Sequence, residues 1–411
     1  MNEYDLIVIG GGPAGMMAAG QAGAMGAHVL LLEKNKTLGK KLLITGNRRC
    51  NITNINLNVK SVVEKIGQNG KFLFSSLAKF DCNETMIFFN DLGIETKIEK
   101  NGRVFPKSDK AEDILNVLMK FLKENKVEIK TGVEIKKINS KENNINYIET
   151  TDKEKLIAKK YAICTGGKSY AALGSSGDAY GWLKNMNIKI VDPRPALGAI
   201  KFKEKKIKKL EGVSFEKVKI SFWRDKTKIE ERQGEIVFTE CGISGPVALD
   251  SCGRVSKHVK EDKIKAMIDF LPEDEQNKLD EKIQGLLQKQ GTRSIKNIIN
   301  QLITKTLVEI LLEDLKIDPN KKASLINRRE RMALINLLKG YQFEVSGVDD
   351  FKRAMVTAGG IDLKEINPKT MQIKKIDNLY AAGEILDLDG PSGGYNLQIC
   401  WSTGYALGNS I

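Results

Sequence analysis

Histidine is almost missing from this 411-residue chain, with only His28 and His258 present. Neither falls in a motif, so no histidine general base is expected. There is no H-x-x-x-H pair and no Cys/His cluster, which leaves no zinc-type metal site. The six cysteines, at positions 50, 82, 164, 241, 252 and 400, form no C-x-x-C pair. That excludes a disulfide scaffold, a zinc ribbon and a thioredoxin-type dithiol. Free thiols point to a reducing, cytoplasmic compartment. No apolar run approaches the roughly 18 residues of a membrane span, so no membrane partner is expected. Residues 1–5 carry no basic stretch ahead of the first apolar one, unlike a signal peptide. Arginine is scarce, 12 of 66 basic residues against 54 lysines. The formal charge is +14, but the lysines are spread along the whole chain, with modest groupings at 153–160 and 201–209. This reads as a lysine-rich composition, and nucleic acid is not the expected partner. Repeats and long low-complexity tracts are absent.

What is present is an ordinary globular composition, 41% hydrophobic and 29% charged. At roughly 150 residues per domain the length suggests two or three domains, large enough to bury a core without staples.

The strongest pattern opens the chain. Leu6-Ile7-Val8-Ile9 has the length of a strand. Gly10-Gly11-Gly12-Pro13-Ala14-Gly15 follows at once, then a small-residue helix over 16–25. His28–Leu32 is a second strand, and Glu33 ends it. This is a β-α-β unit carrying G-x-G-x-x-G and a downstream acid, a dinucleotide-binding pattern. Gly10 allows the tight turn, Gly12 lets a pyrophosphate approach the backbone, and Gly15 lets helix and sheet pack closely. Pro13 and Ala14 open a helix whose N-terminus favours phosphate. Glu33 can accept from an adenosine ribose diol and would repel a 2′-phosphate.

Two further strand–glycine turns follow. Tyr161–Cys164 runs into Thr165-Gly166-Gly167. Leu379–Ala382 is closed by Gly383-Glu384, then by a glycine-rich loop over 387–396 and a helix from about 397 to 407. A turn with an acid can hold ribityl hydroxyls. A following helix N-terminus can face the flavin edge that gains negative charge on reduction. No second G-x-G-x-x-G occurs, so no separate nicotinamide domain is expected. We assign to the cofactor Gly10, Gly12, Pro13, Ala14, Gly15, Glu33, Lys34, Lys41, Asn51, Val133, Thr165, Gly166, Gly167, Gly383, Glu384, Gly394, Asn396 and Leu397.

Thr45-Gly46-Asn47-Arg48-Arg49-Cys50-Asn51-Ile52-Thr53-Asn54 resembles the S/T-G-x-G-R-C-N-x-T-N signature of a bacterial flavoprotein family. Its members include aminoacetone-oxidase-like and bile-acid C=C-reductase-like proteins. Gly166–Tyr170 resembles its T-G-G-K-S-Y segment, with Gly177-Asp178 as the G-D that follows. Phe238-Thr239 with Gly242–Pro246 resembles its F-T-H-x-G-I-S-G-P segment. Residues 357–361, 369–371 and 382–398 resemble its C-terminal block. Three positions depart from the pattern: Arg48 stands for Gly, Ala171 for Pro and Glu240 for His. The last puts in doubt any proton-transfer role of that histidine.

The resemblance implies an α/β fold: a discontinuous Rossmann-type, glutathione-reductase-like FAD domain with an inserted β-barrel-like plus helical domain. The expected boundaries are 1–190, 191–346 (barrel-like 191–272, helical 273–346) and 347–411. Alternating strands at 218–222 and 235–238 support the barrel. Apolar spacing at Ile295, Ile298, Ile299, Leu302 and Ile303 supports the helices. The expected activity is that of an FAD-dependent oxidoreductase, with hydride transfer at flavin N5 to or from a small organic substrate. NAD(P)H as a transient cosubstrate and oxygen as an oxidant both stay open. Amine oxidation, an RNA-binding flavoprotein and flavin binding without turnover are the alternatives. Candidate catalytic groups are Arg49, Cys50, Lys168, Tyr170 and Tyr395; a structural Arg49 and a buried, inert Cys50 are the competing readings. A monomer or a homodimer is expected.

Overall fold

The computed structural model describes residues 4–259 and 263–411. Residues 1–3, where the expectation about the N-terminus begins, lie outside it. The chain divides into two compact units. One takes the residues up to Pro195 together with Phe351–Ile411; the other is Ala196–Asp350.

The first unit is built on a five-stranded sheet. Strand β1 (Tyr4–Ile9) lies between β2 (Val29–Glu33) and the strand Ala158–Ile163. Leu379–Ala381 flanks the latter and Glu128–Thr131 flanks β2. All the pairings are parallel. Strands buried on both faces need apolar residues at every position, and Leu6, Ile7, Val8, Leu30 and Leu31 are fully buried. In the pairing register Ile9 meets both Ile163 and Leu32, and Ile163 meets Ala381. The turns after residues 9, 163 and 381 therefore leave the sheet at one edge. The connections diverge on either side of β1, and the carboxyl end of such a switch point is where open parallel sheets bind ligands.

Helix α1 (Pro13–Ala24) has Pro13 in its first turn, as expected, and so starts ahead of the small-residue run over 16–25. It packs on the closing helix Tyr395–Gly408, which likewise starts two residues early. Gly404 makes the close crossing possible: a Cβ there would lie 2.6 Å from the Ala14 carbonyl oxygen. Trp401, fully buried in the closing helix, donates its indole N–H to the Ile52 carbonyl at 2.9 Å. Truncating such a side chain costs about 3–5 kcal/mol.

The second unit is a closed barrel of six strands, in the order Ile200–Phe202, Gly242–Ser244, Thr227–Thr239, Ser214–Arg224, Ile264–Asp269 and Tyr341–Val348. Phe222, Phe238 and Phe343 fill its core, with Phe202 stacked on Phe343 at 4.7 Å between ring centroids. The helices Gln276–Lys289, Lys305–Leu315 and Arg328–Lys339 belong to the same unit.

Two boundaries differ from expectation. Pro193-Arg194-Pro195 reads as the start of the insertion, but it lies in the strand Ile190–Ala196, which pairs with Val356–Ile361 of the first unit. The barrel is also not confined to 191–272. Its sixth strand, Tyr341–Val348, follows the helices, and pairing with Ile264–Asp269 and Ile200–Phe202 draws it back. Local composition does not register a strand whose partners are distant in sequence.

Candidate cofactor cleft

Where the three turns converge, the first unit opens a cleft of about 930 Å³, open solvent included. The fingerprint glycines each meet a distinct constraint. A Cβ on Gly10 (φ +110°) would collide with the Cys164 carbonyl oxygen, and one on Gly15 with the Gly10 carbonyl oxygen. A Cβ on Gly12 would meet nothing within 4 Å, because Gly12 faces the cleft. No side chain caps α1 at Gly12, and no acidic residue lies in its first turn. Its leading N–H groups and the positive end of its dipole are left for an anion.

Glu33 marks one end of the cleft. It is 8% exposed. It accepts from the Gly11 N–H at 2.8 Å and from the Asn35 N–H and Nδ2 at 2.8 and 2.7 Å. Of about four acceptor sites on a carboxylate, one is left for a hydroxyl. The Val133 N–H donates to the Glu33 carbonyl at 3.0 Å and brings Val133 to the same wall. Lys34 pairs with Asp178 at 2.7 Å and also bonds Ser176.

Lys41 and Glu384 face the cleft elsewhere, paired at 2.7 Å. Glu384 Oε1 also accepts from the Thr357 N–H at 2.9 Å. The Thr357 hydroxyl in turn accepts from the backbone N–H groups of Lys168 and Ser169 at 2.8 and 3.1 Å. This chain of contacts holds the Gly166–Gly167 turn against Glu384.

The segment 45–54 meets the closing loop as well. Asn54 Nδ2 donates to the Gly393 carbonyl at 2.9 Å, and Thr53 Oγ1 bonds Gln398 Oε1 at 2.5 Å. Gln398 also accepts from Thr85 Oγ1 at 2.9 Å and donates to the Phe80 carbonyl and Ser402 Oγ. Asn396 bonds Gly390 at both its N–H and its carbonyl, at 2.9 Å each, and so closes the loop before the helix. The Gly383 N–H donates to Thr403 Oγ1 at 3.0 Å. A Cβ on Gly394 (φ +101°) would collide with the Thr53 carbonyl oxygen.

Two buried polar atoms, Thr165 Oγ1 of the cleft lining and Asn51 Oδ1 outside it, have no hydrogen-bond partner among the described residues. Orphaned buried polar atoms call for a partner. Together with the uncapped α1 and the open face of Gly12, they fit a dinucleotide such as FAD: phosphate at α1, ribose at Glu33, polar ring or ribityl atoms at Thr165 and Asn51.

Gly10, Gly12, Pro13, Ala14, Glu33, Lys34, Lys41, Val133, Thr165, Gly166 and Glu384 line the cleft. Gly15, Asn51, Gly167, Gly383, Gly394, Asn396 and Leu397 do not line it. Ser175, Ser176, Asp178 and Trp182 line it without having been assigned. The run Gly174-Ser175-Ser176-Gly177 ahead of a helix was the available signal.

None of the five catalytic candidates lines the cleft. The Arg49 guanidinium is forked onto Glu99 at 2.9 and 3.1 Å, bonds Asp109 at 3.1 Å and lies 3.9 Å over the Phe105 ring. Most of its donors are taken within the protein. Cys50 is fully buried, and burial pushes its thiol up to about 12. Burial likewise pushes up the Cys164 and Cys400 thiols, each to about 12. Lys168 places Nζ 5.7 Å from the Phe351 ring centre, and the Tyr170 N–H donates to the Phe351 carbonyl at 2.9 Å. Tyr395 is buried in the first turn of the closing helix. Arg48 holds φ at +65°, a left-handed conformation in which the glycine of the resembled signature carries less strain. His28 is exposed beside the Tyr4 ring, and His258 lies 3.3 Å from Arg224 in the second unit. Among the described residues, no group of three or more His, Cys, Asp or Glu could hold a metal ion. Among them too, no helix is long and apolar enough to cross a membrane.

A family model described as the HI0933-like protein Rossmann domain matches residues 4–410. A 3-dehydro-bile acid delta(4,6)-reductase of Clostridium scindens is 32% identical over 408 residues, 98% of either chain. A ribosomal RNA dihydrouridine synthase of Haemophilus influenzae is 28% identical over 416 residues, 100% of this chain and 99% of that one. Among solved structures, a 3-ketosteroid-delta4-(5alpha)-dehydrogenase of Rhodococcus jostii RHA1 aligns with a TM-score of 0.54 at 12% identity, covering 99% of this chain and 96% of that one. At that identity the likeness speaks to the fold.

Proposed function

The chain belongs to the HI0933-like Rossmann-domain family of FAD-binding flavoproteins and is an FAD-dependent oxidoreductase; we propose that it saturates a carbon–carbon double bond conjugated with a carbonyl, using NAD(P)H as hydride source. The observation that carries this reading is the end-to-end likeness to two relatives whose names share one chemistry. A delta(4,6)-reductase and a dihydrouridine synthase each reduce a ring double bond. Amine oxidation with oxygen draws no comparable support.

Bound FAD supplies hydride transfer, which no side chain here can provide. The protein holds and polarises. The N-terminus of α1 and Gly12 take the pyrophosphate, Glu33 takes a ribose hydroxyl, and Thr165 and Asn51 offer the two orphaned oxygens. Lys41, paired with Glu384, keeps a cation at the cleft without leaving it unbalanced. Cys50 stays a neutral thiol and serves packing. Arg49 fixes its loop.

The substrate we favour is a small conjugated enone. The 201–209 lysines are largely neutralised, Lys203, Lys206, Lys208 and Lys209 pairing with Glu344, Asp314, Glu240 and Glu313; in the 153–160 grouping Lys159 pairs with Asp5. A uridine base in RNA is the second reading, favoured by the 28% identical relative and the +14 charge.

The deciding experiment is anaerobic mixing of the yellow protein with NADH or NADPH, followed by an enone or an RNA transcript. Rapid loss of the flavin's visible absorption, and its recovery on adding the enone, is the expected result. No bleaching by either nicotinamide, with peroxide formed from amines, would overturn it in favour of the oxidase. Recovery with RNA alone, and RNA affinity falling with salt at a log–log slope of several units, would move the substrate to RNA.

A further inference from the structure

We propose that the indole of Trp182 is the platform on which the adenine base of the bound dinucleotide stacks. This rests on the flavin reading above and adds the side chain that recognises the purine.

Among the described residues, Trp182 is the only aromatic side chain lining the cleft. It is half-buried, so part of the ring is available to a ligand. Its position follows from the helix Asp178–Asn185. Asp178 and Trp182 are one turn apart and share a face. Asp178 is tied to Lys34 at 2.7 Å, and Lys34 directly follows Glu33. The face that carries the indole is therefore docked at the end of β2, where the Glu33 carboxylate is available to a ribose hydroxyl. Val133 and Ile135 line the same cleft beside it, because Glu128–Thr131 pairs with β2 in parallel and delivers them at that edge. A flat aromatic surface, aliphatic neighbours and a hydroxyl acceptor together suit a purine nucleoside. Every base offers a π-face, so stacking needs no further hydrogen-bond pattern. Trp182 also packs against the apolar core of its unit, and the test must separate the two roles.

Apoprotein stripped of flavin is titrated with ADP, which carries base, ribose and both phosphates but no flavin ring to absorb the emission. The chain has three tryptophans; Trp401 is fully buried and Trp223 belongs to the barrel. ADP is expected to quench the tryptophan emission of the natural protein. Trp182→Phe should abolish most of that quenching and hold ADP within about threefold. Trp182→Ala should weaken ADP and FAD roughly ten- to hundredfold. The proposal fails if quenching persists in Trp182→Phe, or if folded Trp182→Ala binds ADP as the natural protein does. Should Trp182→Ala not fold, the Trp182→Phe quenching decides alone. Natural protein that takes up neither ADP nor FAD would sink the flavin reading itself, an outcome distinct from equal binding by both chains.

Discussion

Lys41 and Glu384, 343 residues apart in the chain, close on each other in an ion pair of 2.7 Å at the cleft. Their side chains are 20% and 17% exposed, so each charge depends on the other for its solvation. The pair joins the loop after the first β-α-β unit to the turn after Leu379–Ala381. Through Thr357 it also reaches the turn after Ala158–Ile163.

Breaking the pair from one side strands a partly buried charge. Lys41→Met and Glu384→Gln should each cost about 1–2 kcal/mol of stability. The double variant should cost clearly less than the sum. Urea unfolding of the four proteins checks this; additivity within about 0.5 kcal/mol would mean that the two groups act independently.

Gly12 and Gly15 should respond in opposite ways to the same methyl group. Gly15→Ala drives Cβ into the Gly10 carbonyl, an overpacking cost of about 3 kcal/mol, with poor soluble yield. Gly12 has φ −83°, ordinary for alanine, and open space in front of it. Gly12→Ala should therefore keep the natural urea midpoint and lose FAD affinity. Equal FAD affinity in Gly12→Ala would place the phosphates elsewhere.

At Glu33 the carboxylate holds three donors of Gly11 and Asn35 and has one acceptor position left. Glu33→Arg removes the acceptor and adds a cation. The purified variant should retain much less FAD per chain than the natural protein, as read from its visible spectrum. Full occupancy would remove Glu33 from the site.

Alkaline pH should weaken the fold. Burial raises the Cys50, Cys164 and Cys400 thiols from 9.0 to about 12. Groups with folded values above their unfolded ones contribute stability that is complete below about pH 9 and lost between about 9 and 12. The urea midpoint should fall over that window. Cys50→Ala should fall less steeply, although its midpoint at pH 7 is lower because of the cavity. Identical slopes would show that Cys50 ionises freely in the native state.

The dinucleotide fold was legible because its signals are local. An apolar run, spaced glycines and a terminal acid must be contiguous to turn a strand into a helix, and residues 6–33 carry all of them. The lysine groupings were legible as composition for the same reason, and their acidic partners were not. Trp182 and the serines before Asp178 escaped notice because nothing in their neighbourhood says that their helix is latched to Lys34. Arg49 was ambiguous in sequence, since a guanidinium serves a ligand or a loop equally well; Glu99 and Asp109 answered that only in space.

By itself, then, the sequence determined the class of cofactor and the fold that carries it, because backbone geometry at a phosphate-binding turn depends on residues that are neighbours in the chain. Tertiary structure alone decided which charges meet, where each unit ends and which aromatic faces the cleft. Those outcomes depend on strand order and register, which bring Lys41 to Glu384 and carry Tyr341–Val348 back into its barrel across a long stretch of intervening chain.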